Sequence, residues 1–361
     1  MAEVYKTVLL EIRPRLQCVN AFIKLCSNRN PIEVVLEHDA ILLLINKEIT
    51  KIGCKNMKIV TNSLSSLRVT DNFLSFRFLT EITHENKGSF KAEFLQNTVA
   101  SIESLSNKPL LSTNSRYIIQ CANCKKSLSN YLHFHRVLPL PSETLDASDW
   151  FCHNHGNSGS ISLDPKPNDL FYSQCFVHIN IECAINLKVS NNVLVCKFCL
   201  KWLGKKHTNN TIKLWFNTVM FSNDNTSIAS SSLEDSFQVI KNTLKLSLHN
   251  ASKLILSCQT SRTNTDTLLL WVLEKNLHIL FGEESLKDYH VAKVLFKFVK
   301  IDDILLKEWH DDSLVSNIDI SKPMMVDLLT NLYKCNELFP LEYSKSNDFR
   351  VSYLFLSEIF Q

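Results

Sequence analysis

Glycine is scarce in this chain, with six residues among 361. No Walker loop, GxGxxG, HExxH, GxSxG or kinase signature occurs. Close approach of backbone to a polyphosphate needs glycine, so phosphate cradles are not expected. Long apolar runs are missing too. No stretch reaches the roughly 18 consecutive apolar residues of a membrane helix. The longest candidate, Ala40–Ile45, is strand-length and flanked by charges. Neither sign of charge dominates: 39 Lys and Arg stand against 36 Asp and Glu, a net charge of +3. That balance argues against nucleic acid or a membrane as the main partner. Met1-Ala2-Glu3-Val4 has neither the basic nor the apolar segment of a secretory signal. We therefore expect a cytoplasmic chain, with the nucleus as a second compartment, whose sequons at Asn209, Asn225 and Asn250 stay unmodified.

What is present reads as a folded protein. Hydrophobic residues make up 45% and charged residues 21%, which is enough apolar surface for a sizeable core. A chain this long is expected to hold two or three folding units. Residues 32–36 and 41–45 are β-rich runs on either side of His38-Asp39, the pattern of a hairpin. Residues 58–60, 66–69 and 73–79 continue it, with Asp71-Asn72 as a turn and Leu74, Phe76 and Phe78 on one face. Short strands with polar turns indicate an antiparallel sandwich or barrel-like unit. Further strands are expected at 116–120, 193–195, 211–221, 253–258, 268–273, 277–281 and 349–356. One helix is expected after Ser231-Ser232, with Leu233, Phe237, Ile240, Leu244 and Leu248 at helical spacing. A second opens at Ser321-Lys322-Pro323 with Leu328, Leu332 and Cys335 on one stripe. The class is α+β: a β-rich N-terminal domain (1–110), a zinc-stapled central region (111–222) and a mixed α/β C-terminal domain (223–361). Within the central region, 139–168 form an irregular Pro/Gly loop, of a length that is usually functional or disordered.

Twelve cysteines are many. Four fall in two CxxC pairs, Cys121-x2-Cys124 and Cys196-x2-Cys199, separated by 71 residues. Each pair sets two thiolates on one tight turn, and two such turns supply the four ligands of tetrahedral zinc. The gap exceeds a zinc finger's spacing, so one structural Zn2+ would staple two distant β-turns. Two coincidental pairs are the less favoured reading. A redox CxxC is disfavoured, because neither pair opens a helix after a strand. A second group, His133, His135, Cys152, His153, His155, Cys175, His178 and Cys183, could assemble a second zinc. The bland reading is better, since no metal-ligating spacing repeats.

Two single cysteines invite a chemical role. Cys152 lies in Asp149-Trp150-Phe151-Cys152-His153-Asn154-His155, an aromatic island within the irregular loop. A loop thiol beside imidazoles ionises more readily than a core thiol. Cys152 is then a nucleophile, a donor to a metal presented by a partner, or a buried residue anchored by Trp150 and Phe151. Cys335 is the remaining candidate nucleophile, but its helical phase with Leu328 and Leu332 argues for packing. Cys258, in the apolar run Leu254-Ile255-Leu256-Ser257-Cys258, reads as core.

The run Arg136-Val137-Leu138-Pro139-Leu140-Pro141-Ser142-Glu143, followed by Asp149-Trp150-Phe151-Cys152-His153, resembles the signature of the E3 ubiquitin-protein ligase E3D family. Cys121-Ala122-Asn123-Cys124, Val195-Cys196-Lys197-Phe198-Cys199 ahead of Leu203-Gly204, Leu268-Leu269-Leu270-Trp271-Val272-Leu273 and Ser346-Asn347-Asp348-Phe349-Arg350-Val351 follow the same order. The resemblance spans residues 115–361. It implies a HECT-like protein that binds a ubiquitin-conjugating enzyme (E2) and passes ubiquitin to substrates, a cyclin B-type protein among them. It also implies an E2 contact after the second CxxC, within 211–240. The chain lacks a HECT motif of the Thr-Cys-Phe kind, which favours a scaffold over a thioester on Cys335. The resemblance carries a second implication. The loop of Trp150, Phe151, Cys152 and His153 would block the zinc endonuclease subunit of the pre-mRNA cleavage and polyadenylation machinery by placing a thiolate on its metal.

Overall fold

The computed structural model describes residues 4–26, 32–45, 48–54, 57–70, 72–81, 111–113, 115–140, 164–223, 226–246, 251–261 and 264–356. Among these, seven strands come from the N-terminal part: β1 (Tyr5–Arg13), β2 (Cys18–Leu25), β3 (Ile32–Leu36), β4 (Ala40–Ile45), β5 (Glu48–Gly53), β6 (Ser65–Thr70) and β7 (Phe73–Leu79). The middle gives β8 (Arg116–Cys121), β9 (Leu132–His133), β10 (Arg136–Pro139), β11 (Asp169–Tyr172), β12 (Phe176–Asn180), β13 (Leu187–Ser190), β14 (Val193–Cys196), β15 (Trp202–Lys206), β16 (Thr211–Trp215), β17 (Val219–Ser222) and β18 (Ser227–Ile228). The last part gives α1 (Ser232–Leu246), β19 (Ser252–Gln259), β20 (Thr265–Gly282), β21 (Lys287–Val299), α2 (Ile304–Asp311), β22 (Ser316–Asp319), α3 (Lys322–Asn336), β23 (Lys345–Ser346) and β24 (Phe349–Leu354).

Successive side chains on a strand point to opposite faces, and β1 is apolar on both. Val8 and Leu10 join an outer core with Val19, Ile23 and Phe78, covered by the β3-β4-β5 sheet through Ile41 and Leu43. Leu9 joins an inner core with Phe22, Ile279, Val291 and Tyr353, closed by Trp309 of α2 and Phe339 after α3. A strand buried on both faces cannot sit at a domain's surface, and β1 lies inside a ten-stranded sheet. Its main path runs β23-β24-β21-β20-β1-β2-β7-β6. Strands from the first 79 residues and from the last third thus share one sheet, a point left open by the sequence. Arg68 on edge strand β6 ion-pairs with Glu342, just ahead of the opposite edge strand β23, at 2.6 Å. The sheet curls until its edges approach.

The expected mixed α/β C-terminal region is narrower in kind. Among the described residues it is the long-stranded part of this curled sheet carrying three helices, so the chain as a whole is β-rich. The expected strands at 268–273 and 277–281 are one strand, β20, with register shifts between Val272 and Leu277. The shifts bend β20 so that its first half pairs β19 and its second half pairs β1. The expected strand at 211–221 divides instead. β16 belongs to a seven-stranded sheet and β17 to a four-stranded one. The Thr218 hydroxyl breaks the run by donating to the carbonyls of Leu203 and Trp215, at 2.6 and 2.9 Å.

Both expected helices form. The Ser321 hydroxyl accepts from the Met324 N–H at 3.2 Å, Pro323 sits in the first turn, and Leu328, Leu332 and Cys335 are buried. In α1, Ile240 and Leu244 pack with Leu328 and Leu332 of α3 against β19–β21. The central strands hold a core of their own, from Leu111 to Phe221, with Ile119, Phe134, Leu170 and Leu214 buried in it.

Candidate metal centre

The two CxxC turns close the ends of β8 and β14 and are built alike. At the first, the Cys121 N–H donates to the Lys126 carbonyl (3.0 Å) and the Lys125 N–H to the Cys121 carbonyl (2.9 Å). At the second, the Cys196 N–H donates to the Lys201 carbonyl (2.9 Å) and the Leu200 N–H to the Cys196 carbonyl (3.0 Å). Lys125 and Leu200 hold the same left-handed backbone, φ 60° and 58°. Glycine is the easy residue there, and a side chain in that region costs about 1 kcal/mol. The β15–β16 contact behind the second turn does have its glycine. A Cβ on Gly204 would lie 1.9 Å from the Lys213 carbonyl oxygen.

The four thiols meet. All Sγ atoms lie within 4.8 Å of one another, with Cys121–Cys199 at 3.6 Å and Cys124–Cys196 at 3.7 Å. Four sulfurs about 2.3 Å from one tetrahedral ion stand about 3.8 Å apart, so the donor set has the size a zinc ion requires. Backbone N–H groups of Asn123 and Cys124 point at the Cys121 sulfur, and those of Phe198 and Cys199 at the Cys196 sulfur. Burial pushes the Cys121 thiol up to about 12, while at Cys199 the opposing Lys201 N–H and neighbouring donors prevail over burial and hold the thiol at about 7. Donors aimed at sulfur favour the thiolate, the form that binds metal. Cys121 and Cys196 are buried; Cys124 and Cys199 are half-buried.

No other group of three or more ligating side chains converges among the described residues. His133 and His135 meet edge to face at 5.3 Å, Cys175 and Cys183 are buried, and His178 packs on His207 at 4.5 Å. Burial, then the nearby His207, lowers His178 to about 3. Trp150, Phe151, Cys152, His153 and His155 lie outside the described residues. The described ends of their segment are held together. β10 pairs β11 in parallel, and Arg136 clasps Asp169 with two bonds of 2.8 and 2.5 Å. Asp164 accepts from the hydroxyls of Thr208 and Thr211 at 2.7 and 2.6 Å.

Cys335 is 7% exposed within the inner core, and burial pushes its thiol up to about 12. Burial thus favours the neutral thiol over the nucleophilic thiolate. Cys258 is fully buried, as its run suggested. β16, within the expected E2 contact at 211–240, is buried along its whole length and offers no contact face.

Sequence reasoning passed over the surface of the second turn. Phe198 is 55% and Leu200 67% exposed, on either side of Cys199. Ile185, 42% exposed, lies alongside: the Lys197 ammonium donates to its carbonyl at 3.1 Å and the Lys197 N–H to that of Asn186, also at 3.1 Å. Exposed Lys125, Lys126, Lys197 and Lys201 belong to the same two turns. The signal in the sequence was an aromatic inside a CxxC, where the chain has no room to bury it.

The profile of the HECT-like ubiquitin-conjugating enzyme (E2)-binding family matches residues 11–351. A protein of Mus musculus named E3 ubiquitin-protein ligase E3D is 23% identical over 257 residues, covering 65% of this chain and 70% of its own length. The Homo sapiens protein of the same name is 22% identical over 288 residues, 65% and 71% of the two chains. No solved structure matches the chain.

Proposed function

The chain belongs to the HECT-like ubiquitin-conjugating enzyme (E2)-binding family, and on that premise we propose that it is a ubiquitin ligase of the scaffold type. It docks a charged E2 on the metal-stapled turns and orients it, without forming a thioester of its own. The carrying observation is the pair Phe198 and Leu200, two large apolar side chains held in water by a rigid turn. Exposed apolar residues rimmed by charge mark protein contacts, and a turn fixed at both ends loses little entropy when it binds. Zinc is the ion we assign to Cys121, Cys124, Cys196 and Cys199. A closed four-thiolate set leaves no open position, so the metal would supply rigidity and no Lewis-acid chemistry. Among the described residues every cysteine outside the cluster is buried except the half-buried Cys26, which supports the scaffold over a thioester on Cys335. The endonuclease-blocking alternative rests on residues 150–153, and no described residue favours it. A cyclin B-type substrate stays with the resemblance that suggested it.

The test pairs Phe198→Ala with Leu200→Gly. Leu200→Gly relaxes a left-handed backbone, so its thermal stability should hold or rise slightly while E2 binding falls. Both variants should lose most binding and discharge of ubiquitin from an E2 panel; Cys335→Ser should discharge at the wild-type rate. Binding untouched by both changes would move the contact elsewhere. A reducible ubiquitin adduct on wild type that vanishes in Cys335→Ser would overturn the scaffold.

A further inference from the structure

The inner face of the curled sheet carries a buried polar cluster. Register puts Arg77 of β7 opposite Asn20 of β2, and Asn20 opposite Glu11 of β1, a polar row across three strands. Glu11 is 1% exposed. One carboxylate oxygen accepts from the Lys293 ammonium and the Tyr353 hydroxyl, both at 2.5 Å. The other accepts from the Asn20 amide at 3.3 Å and the Arg13 guanidinium at 3.4 Å. Both oxygens are therefore saturated.

Beside this network lies a cavity of about 440 Å³. Ser66 of edge strand β6 and Ser346 of edge strand β23 both line it, so it opens where the curled sheet fails to close. One wall is aromatic: Phe22 meets Phe339 at 5.6 Å and Tyr343 at 5.3 Å, both edge-on. The polar side carries Glu11, Lys293 and Arg77. Arg77 forms no ion pair among the described residues, and Lys293 spends one contact on Glu11. With the carboxylate satisfied, the charged groups left to a guest are cations, and the lining holds two cations to one anion. Eight strands around a small interior are an architecture that can hold one small ligand.

We infer that this cavity binds a carboxylate attached to an apolar body, the carboxylate meeting Arg77 and Lys293 and the body lying on Phe22, Phe339 and Tyr343. The carboxylate belongs either to a small organic acid or to the C-terminus of a peptide entering between β6 and β23. Planar guanidinium suits a carboxylate, and desolvated aromatic walls reject a bare inorganic anion.

Calorimetry on the full chain tests this with 4-phenylbutyrate against 4-phenylbutyramide, and acetyl-Gly-Gly-Phe against its C-terminal amide. At least one acid should bind, with its amide at least about tenfold weaker. Arg77→Ala should cost about the same factor without lowering Tm, because Arg77 lies outside the Glu11 network, and Arg77→Lys should recover part of it. Tighter binding of the peptide acid assigns a peptide terminus; tighter binding of phenylbutyrate assigns a free acid. Amides that bind as well as acids, binding indifferent to Arg77→Ala, or no heat from either acid at millimolar concentration would each overturn the site.

Discussion

Glu11 is the residue on which the N-terminal and C-terminal parts of the main sheet depend chemically. Burial alone would raise its pKa, yet the charges of Lys293 and then Arg13 outweigh burial and lower it. Arg13 is in turn tied to Glu274. A carboxylate with a depressed folded pKa contributes stability that is complete above its unfolded value, about 4.3. That contribution is lost as pH falls through the lower folded value. Glu11→Gln leaves the half-buried Lys293 without a counter-charge, while Arg13 keeps Glu274, at a cost of about 3 kcal/mol at pH 7. Denaturant unfolding at pH 7 and pH 3 checks both statements. The difference between variant and wild type should be large at pH 7 and shrink at pH 3, and a difference independent of pH would mean the ion network contributes nothing. None of this was visible in Val8-Leu9-Leu10-Glu11-Ile12. A charge inside a doubly buried strand was the available clue, but its partners lie about 280 and 340 residues away in sequence.

Between strands, the two CxxC turns are the best example of structure legible in sequence. Their geometry is local: each needs only four residues, a strand leading in and a turn leading out. The distant pairing of the two turns followed from the preference of zinc for four ligands rather than from anything written between them. The short helix α2 escaped notice because its cap, Asp303 accepting from the Leu305 N–H at 2.9 Å, serves only eight residues, too few to show a period. If the turns are stapled by metal, the protein as isolated should contain about one zinc per chain, and Cys121→Ser should abolish it while Cys335→Ser does not. Chelation should lower Tm, and more readily at acid pH, since protons compete with metal for the thiolates. Metal analysis with a thermal melt decides this; a metal-free wild type with an unchanged melt would leave the cluster as four packed thiols.

Over the whole molecule, the order of residues and the order of strands diverge. Local runs predicted strands well, as at β3-β4 and β7, because alternation and turn chemistry are readable within ten residues. Which strands would become neighbours was not readable, because β1 pairs β20 across most of the chain. That arrangement makes a definite demand on truncation. A chain shortened to residues 111–361 would leave the second half of β20 without β1 and the inner core without Leu9 and Phe22. Exposed sheet edges and unfilled cores favour aggregation over a unique fold. The central core is different, being drawn from residues 111–228 alone. The shortened chain should therefore keep whatever metal its four-cysteine cluster binds, while the region 252–354 becomes protease-sensitive and loses a cooperative melt. Limited proteolysis with metal analysis on the same sample reads both. A protease-resistant 252–354 fragment with a sharp transition would mean that the C-terminal core closes by itself, and that the first strands are laid onto a finished sheet rather than being part of its foundation.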